Sequence, residues 1–151
     1  MTTINTALPV GRESLQARSD MRREPAWLAE FRQQALELAG ILELPHVEKT
    51  RIDRWNIDRY GEYKEVTKVD SLDHLPEEIS ALVSQDAVPS GLLIQRNSGV
   101  IYSTLSEELK QKGVILTDLE TAAREHEHLV RTHLMQAVKA DEHRLAALHA
   151  A

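Results

Sequence analysis

The chain has 151 residues, 42% hydrophobic and 28% charged, and 18 Lys+Arg against 24 Asp+Glu leave a net charge of −6. That size fits a soluble single domain, and that charge disfavours a general binder of nucleic acid or acidic membrane, which needs a basic surface. The absence of cysteine excludes disulfides, thiolate nucleophiles, zinc fingers and Cys-ligated clusters, and the lack of a signal-peptide pattern or a membrane-length apolar run makes the cytoplasm the expected location.

Residues 1–11 read as a flexible leader, 12–138 as an α+β domain and 139–151 as a further helix. From Arg12 to about Met21 a polar helix has little besides Leu15 and Ala17 to bury. The chain restarts at Glu24-Pro25, with Pro25 placed in a first turn. Trp27, Leu28, Phe31, Ala35, Leu38 and Ala39 then form a helical stripe that Gly40 is suited to end. Residues 45–63 mix charge with Val47, Ile52, Trp55, Ile57 and Tyr60 and keep no clean period, so they read as extended chain with turns. A short helix over 76–83 follows, with Glu77 and Glu78 suiting the positive end of its dipole.

The second half carries stronger signals. Residues 92–95 and 100–102 flank Asn97-Ser98-Gly99, a hairpin pattern with Gly99 available for positive φ. Thr104 and Glu107 have capping-box spacing before a helix over 107–112, with Gly113 as its stop. Residues 114–116, Val-Ile-Leu, read as a third strand. Thr117 and Glu120 repeat the capping-box spacing and open a long helix to about Val138; a last helix starts near Asp141. A strand–helix–strand crossover favours parallel pairing. The expected fold is therefore α+β, mainly helical, with a small three-stranded mixed sheet covered by the helix over 120–138, His126 mostly buried and His128 exposed.

The last residues form an apolar helix with no polar tail, either a frayed end or the mark of a chain cut from something longer; the missing stop signals favour the cut. Its narrow face holds Leu145 and Leu148. So short a helix needs tertiary packing to persist. Residues 141–151 are expected to dock on a second copy or to project with few contacts of their own.

Seven histidines raise a metal hypothesis. On one helix His126 and His133 share a face, but at ~1.5 Å rise per residue they lie ~10 Å apart. They fall on the stripe of Ala122, Ala123, Leu129, Val130 and Leu134, which fits a hydrogen-bonded core or interface role. Glu125 and His128 make one Glu-x-x-His pair; di-iron bundles use two such pairs and two more Glu-bearing helices, and a solvated face accounts for a single pair. A small metal-dependent enzyme using Glu125 and His128 is kept as the alternative from a different class.

No other catalytic signature is present. The six glycines never form Gly-x-Gly, and Ser90-Gly91 lacks the first glycine of a nucleophile elbow. Arg18, Arg22 and Arg23, then Lys49, Arg51 and Arg54, are basic clusters interrupted by acids, which favours solvated faces and local ion pairs over anion sites. Trp55 beside Arg54 has the chemistry to stack on a base or flavin ring, yet a semi-buried Trp packing on its own domain is favoured. No catalytic, cofactor-binding or metal-ligating residue is assigned.

Several stretches read together, in order. They are Glu24-Pro25-Ala26-Trp27-Leu28, VEKTRIDRWN at 47–56, SLDHLPEEISAL at 71–82, ELKQKGVILTDLETAAREHEHLV at 108–130 and KADEHRLAALHAA at 139–151. Over residues 13–151 the chain resembles the N-terminal region of the SufB/SufD family of SUF-system iron–sulfur cluster assembly scaffolds. The SufD form typical of Gram-positive bacteria ranks first and the SufB-like paralogue second. The resemblance implies a non-catalytic N-terminal domain of a SufBCD scaffold, with 139–151 leading into an absent right-handed β-helix core and a C-terminal helical segment. It implies SufB-like and SufC-like partners, the β-helix pairing with SufB and the C-terminal segment docking the ATPase SufC, with no nucleic acid and no membrane. Iron–sulfur clusters, ATP through SufC and reduced flavin belong with the whole complex and none with this segment. His126, His128, His133, His143 and His149 inherit no cluster role. Self-association through an exposed C-terminal helix is a further expectation.

Overall fold

The computed structural model describes residues 10–55, 66–83, 90–97 and 99–151, so most of the expected leader and the later part of the stretch over 45–63 lie outside the described residues. The chain divides into two units, Met1–Gly61 with Glu120–Ala151, and Glu62–Leu119.

The first unit is helical. Helix α1 (Arg12–Arg22) starts where the Ser14 hydroxyl accepts the Gly11 N–H at 3.2 Å and donates to the Gly11 carbonyl at 2.8 Å. It buries Leu15 and Ser19, one turn apart on one face. Its end is a Schellman motif without glycine: Arg23 takes φ 53°, its N–H donates to Asp20 O, and the Glu24 N–H donates to Ser19 O. Helix α2 (Ala26–Ile41) follows Pro25, which is the N-cap and not a first-turn residue. The expected stop at Gly40 is corrected: the helix continues to Ile41 and ends where Leu42 becomes extended at φ −77°, ψ 149°. Beyond it Val47 and Thr50 make an isolated bridge around Lys49 at φ 62°, and Ile52–Arg54 form a 3₁₀ turn, in keeping with extended chain and turns.

The expected long helix over 120–138 is two short ones, α5 (Leu119–Glu125) and α6 (Glu127–His133), numbered to leave α3 and α4 for the second unit. His126 breaks them at φ −130°, ψ 40°, while its N–H still donates to Ala122 O and its carbonyl accepts from Leu129 and Val130. Residues 124–128, Arg-Glu-His-Glu-His, carry no apolar side chain, so burial gives no reason for a straight helix through them. After α6, Leu134 is extended and Met135 sits at φ 53°, which turns the chain away. The stripe on α5 and α6 buries against α2: Leu28, Ala123 and Val130 form the core, with Trp27, Phe31, Ala122 and Leu134 packed on it. That corrects the expectation that this stripe covers the sheet. Helix α7 (Arg144–Ala150) also packs on α2.

The second unit is built on a hairpin. A 3₁₀ turn at Leu72–His74 is capped by Ser71, whose hydroxyl accepts from the Asp73 N–H, and α3 (Glu77–Ser80) follows Pro76. Strands β1 (Gly91–Arg96) and β2 (Gly99–Leu105) pair antiparallel, and helix α4 (Glu107–Gln111) follows. Ile94 faces Tyr102 and Gln95 faces Val100, so Ile101 is an extra residue in a β-bulge. The bulge sends the Ile101 side chain into the core with Leu75 and Ile94, where Val66, Val69 and Ile79 pack, and its carbonyl accepts the Val69 N–H at 2.8 Å.

Positive φ at the turn belongs to Asn97 (53°) and not to Gly99. Gly99 is required for space instead: a Cβ there would lie 2.1 Å from Val66 Cγ2. The N-cap of α4 is Ser106, with Thr104 still inside β2, so that capping box is corrected. Gly113 closes α4 as expected, at φ 79°, with its N–H to Lys110 O and the Val114 N–H to Leu109 O.

The α+β class stands, but the sheet has two strands among the described residues, not three. The Schellman motif consumes the Val114 N–H, and residues 114–118 run on without a ladder; a Ser103 hydroxyl reaching the Leu116 carbonyl at 3.2 Å is the link to β2.

Candidate functional site

The histidines and carboxylates weighed from the sequence are spread out. Glu125 and His128 are both exposed, His126 is half-buried at the α5–α6 break, and His133 is exposed at the end of α6. Among the described residues no three His, Cys, Asp or Glu side chains gather where they could hold a metal ion. Among the described residues, no helix is long and apolar enough to cross a membrane.

The basic clusters divide. Arg22 pairs with Glu120 at 3.0 Å, and the Arg124 guanidinium donates to the Arg22 carbonyl at 3.2 Å, so this corner serves to join α1 to α5. Lys49, Arg51 and Arg54 face solvent, and Trp55 beside them is 59% exposed. That corrects the semi-buried expectation for Trp55.

The most highly organised polar group lies where α1, α2 and α7 meet. Glu24, with its side chain 2% exposed, accepts from the buried Ser19 hydroxyl at 2.9 Å and from Arg32 Nε at 3.1 Å. Arg32 Nη1 then donates to the Ala151 carbonyl at 3.2 Å. Three elements are thus tied through one guanidinium whose fork geometry serves two acceptors at once. A signal for it was present: Glu24, Leu28 and Arg32 stand four residues apart, so the charges share the face of the most buried leucine.

Helix α7 is fixed at both ends. At its start the Arg144 N–H donates to Glu43 O at 2.9 Å, and His143 is the N-cap, its Nδ1 accepting the Ala146 N–H at 3.0 Å. At its end stands the Arg32 contact. Between them Ala146, Ala147 and Ala150 are buried, as are Ala35, Leu36 and Ala39 of α2. Small side chains let two helix backbones approach closely. The expectation of a projecting or copy-docked segment is corrected: α7 docks within its own chain, through alanines, with Leu145 and Leu148 half-buried. Self-association through an exposed α7 loses its basis with it. Beside α7 opens a cleft of about 440 Å³ lined by His133, Met135, Val138, His143, Leu145 and His149.

In the second unit His74 Nδ1 lies 2.7 Å from Asp70 Oδ1. That hydrogen bond holds the Asp70 carboxyl below its ordinary value, with the Asp70 backbone N–H and the His74 charge adding to the effect. Both groups are exposed, which marks a local pair on a turn.

Comparison with known proteins supplies what these side chains do not. The chain is 43% identical over 151 residues, 99% of its length, to the iron–sulfur cluster assembly protein SufD of Bacillus subtilis. It is 32% identical over 142 residues, 88% of its length, to an iron–sulfur cluster assembly SufBD family protein of Staphylococcus epidermidis. A SufBD family protein of Staphylococcus haemolyticus is 31% identical over the same length. The chain spans about a third of these relatives, 35% of the first and 30% of the other two. No protein-family model matches the sequence. No solved structure matches it.

Proposed function

The chain belongs to the SufBD family of iron–sulfur cluster assembly proteins, on its SufD side, and we propose that it serves as the non-catalytic N-terminal domain of a SufD-like component of a SufBCD scaffold. The observation that carries this reading is the 43% identity to Bacillus subtilis SufD running through 99% of the chain. The ordered polar groups of the helical unit serve packing between its helices, as suits such a domain. Its partners are SufB-like and SufC-like proteins, and it works in the cytoplasm. Iron–sulfur clusters are cargo of the complex, ATP enters it through the SufC-like partner, and no residue of this domain is assigned to reduced flavin.

A chimera tests the reading. The segment of Bacillus subtilis SufD that matches this chain is replaced by it or deleted, and each protein is expressed with SufB and SufC. The expected result is that the chimera restores complex assembly, while the deletion lowers assembly but leaves cluster content per assembled complex within about twofold, the difference that ~0.4 kcal/mol makes. Loss of clusters from fully assembled deletion complexes would show that the domain takes part in the chemistry and would overturn the non-catalytic assignment.

A further inference from the structure

We propose that the docking of α7 is proton-sensitive, with the neutral imidazole of His143 as its fastening. This inference stands apart from the assembly reading, since it concerns only how one helix is held. His143 occupies the N-cap in an extended conformation, φ −165° and ψ 168°, and its Nδ1 accepts the Ala146 N–H at 3.0 Å. A cap must accept, and only the neutral ring with its proton on Nε2 offers Nδ1 as an acceptor; the imidazolium donates from both nitrogens. Protonation therefore removes the bond and leaves the Ala146 N–H facing a donor. It also puts a positive charge at the positive end of a helix.

The surroundings add to this. His133 and His149 line the same cleft as His143. Asp141, Glu142 and Arg144 flank His143 in sequence. Across from them, on the segment after α2, Glu43 holds the Arg144 N–H through its carbonyl. Asp141 and Glu142 are exposed and counter the added charge only through water. Helix α7 has seven residues, too few to persist without its cap and its packing on α2. The sign follows from the cap's chemistry: the docked helix uses the unprotonated ring as its acceptor, so docking weakens as pH falls.

Amide hydrogen exchange at Ala146 and Ala147, corrected for intrinsic rates, reads the docked population in the 151-residue chain. Between about pH 8 and about pH 5 protection of these amides is expected to fall about fivefold or more, the effect of a lost N-cap. His143→Asp supplies an acceptor that stays ionised over this range, and its protection is expected to change less than twofold. His143→Ala is expected to give low protection at both pH values. A double variant, His133→Gln with His149→Gln, is expected to keep most of the wild-type loss. Unchanged wild-type protection, an equal loss in His143→Asp, or a loss abolished in the double variant would each overturn the proposal.

Discussion

In the helical unit Leu28 is 1% exposed and Ala39, Ala123 and Ala147 are 0% exposed, whereas among the described residues of the hairpin unit the best-buried is Ile101 at 3%, followed by Leu75 at 8%. The difference follows from what each unit packs. Helices bearing alanines come close enough to leave no gap, so even a methyl side chain is wholly covered. A two-stranded sheet is marginal alone and must draw its cover from irregular chain, here the stretch holding Val66 and Val69 and the short helix α3. Close packing in this molecule is a property of helix pairs with small contact residues, and the hairpin reaches a looser version of it through one bulge.

Removing the centre of each core is the strongest way to break that contrast. Leu28→Ala is expected to destabilise the helical unit by ~3–4 kcal/mol, read by urea unfolding with Trp27 fluorescence, because a close-packed site cannot collapse into the cavity. Ile101→Ala in the bulge is expected to cost less, ~2 kcal/mol, read from exchange of the hairpin amides, since irregular cover can relax. Equal costs would mean that the two cores are alike in rigidity and that the exposure figures mislead.

A smaller change sharpens the comparison of helix ends. Arg23 and Gly113 close α1 and α4 with the same Schellman hydrogen bonds, but only one of them is glycine. Arg23→Gly is expected to stabilise the helical unit by ~1 kcal/mol in denaturant melts, by relieving the left-handed conformation of a residue with a Cβ. A loss of stability would show that the arginine side chain contributes more than the backbone loses. The smallest effect belongs to the hairpin unit. Because the Asp70 carboxyl is lowered by His74, the contribution of the pair is present above the ordinary carboxylate range and is lost as pH falls through the folded value. In His74→Ala the Asp70 titration followed by NMR is expected to move up toward the ordinary value, with no measurable change in melting, since both groups are solvated.

The same contrast explains how much was legible in the sequence. Helices α1 and α2 and the hairpin were, because each carries a period or a turn signal that local physics enforces: the stripe from Trp27 to Ala39, and Asn97 to Gly99 between two apolar runs. The third strand was not, since Val-Ile-Leu at 114–116 reads the same whether its amides join a ladder or, as here, the first is taken by a helix stop. The break at His126 was hidden because every residue from 124 to 128 tolerates a helix. On α7 hydrophobicity singled out Leu145 and Leu148, while geometry buries the alanines, whose value lies in being small. His143 lies outside the usual capping residues, and the Arg32 contact with Ala151 joins positions 119 residues apart. The candidate-site residues were legible mainly as the solvated positions that Glu125 and His128 occupy, and family membership came from the order of many ordinary stretches.

The bulge at Ile101 has a consequence for solubility. A β-strand with a free edge offers its carbonyls and amides to any extended segment of a neighbouring molecule, which is how sheets recruit one another into aggregates. Here the bulged carbonyl is already taken by Val69, and the Ser103 side chain holds the chain at Leu116. Both guards belong to the same polypeptide as β2, so an intruding strand must displace tethered competitors present at high local concentration. In a hairpin of six- and seven-residue strands, rich in Leu, Ile and Val, the β2 edge is thereby made harder to use as a template.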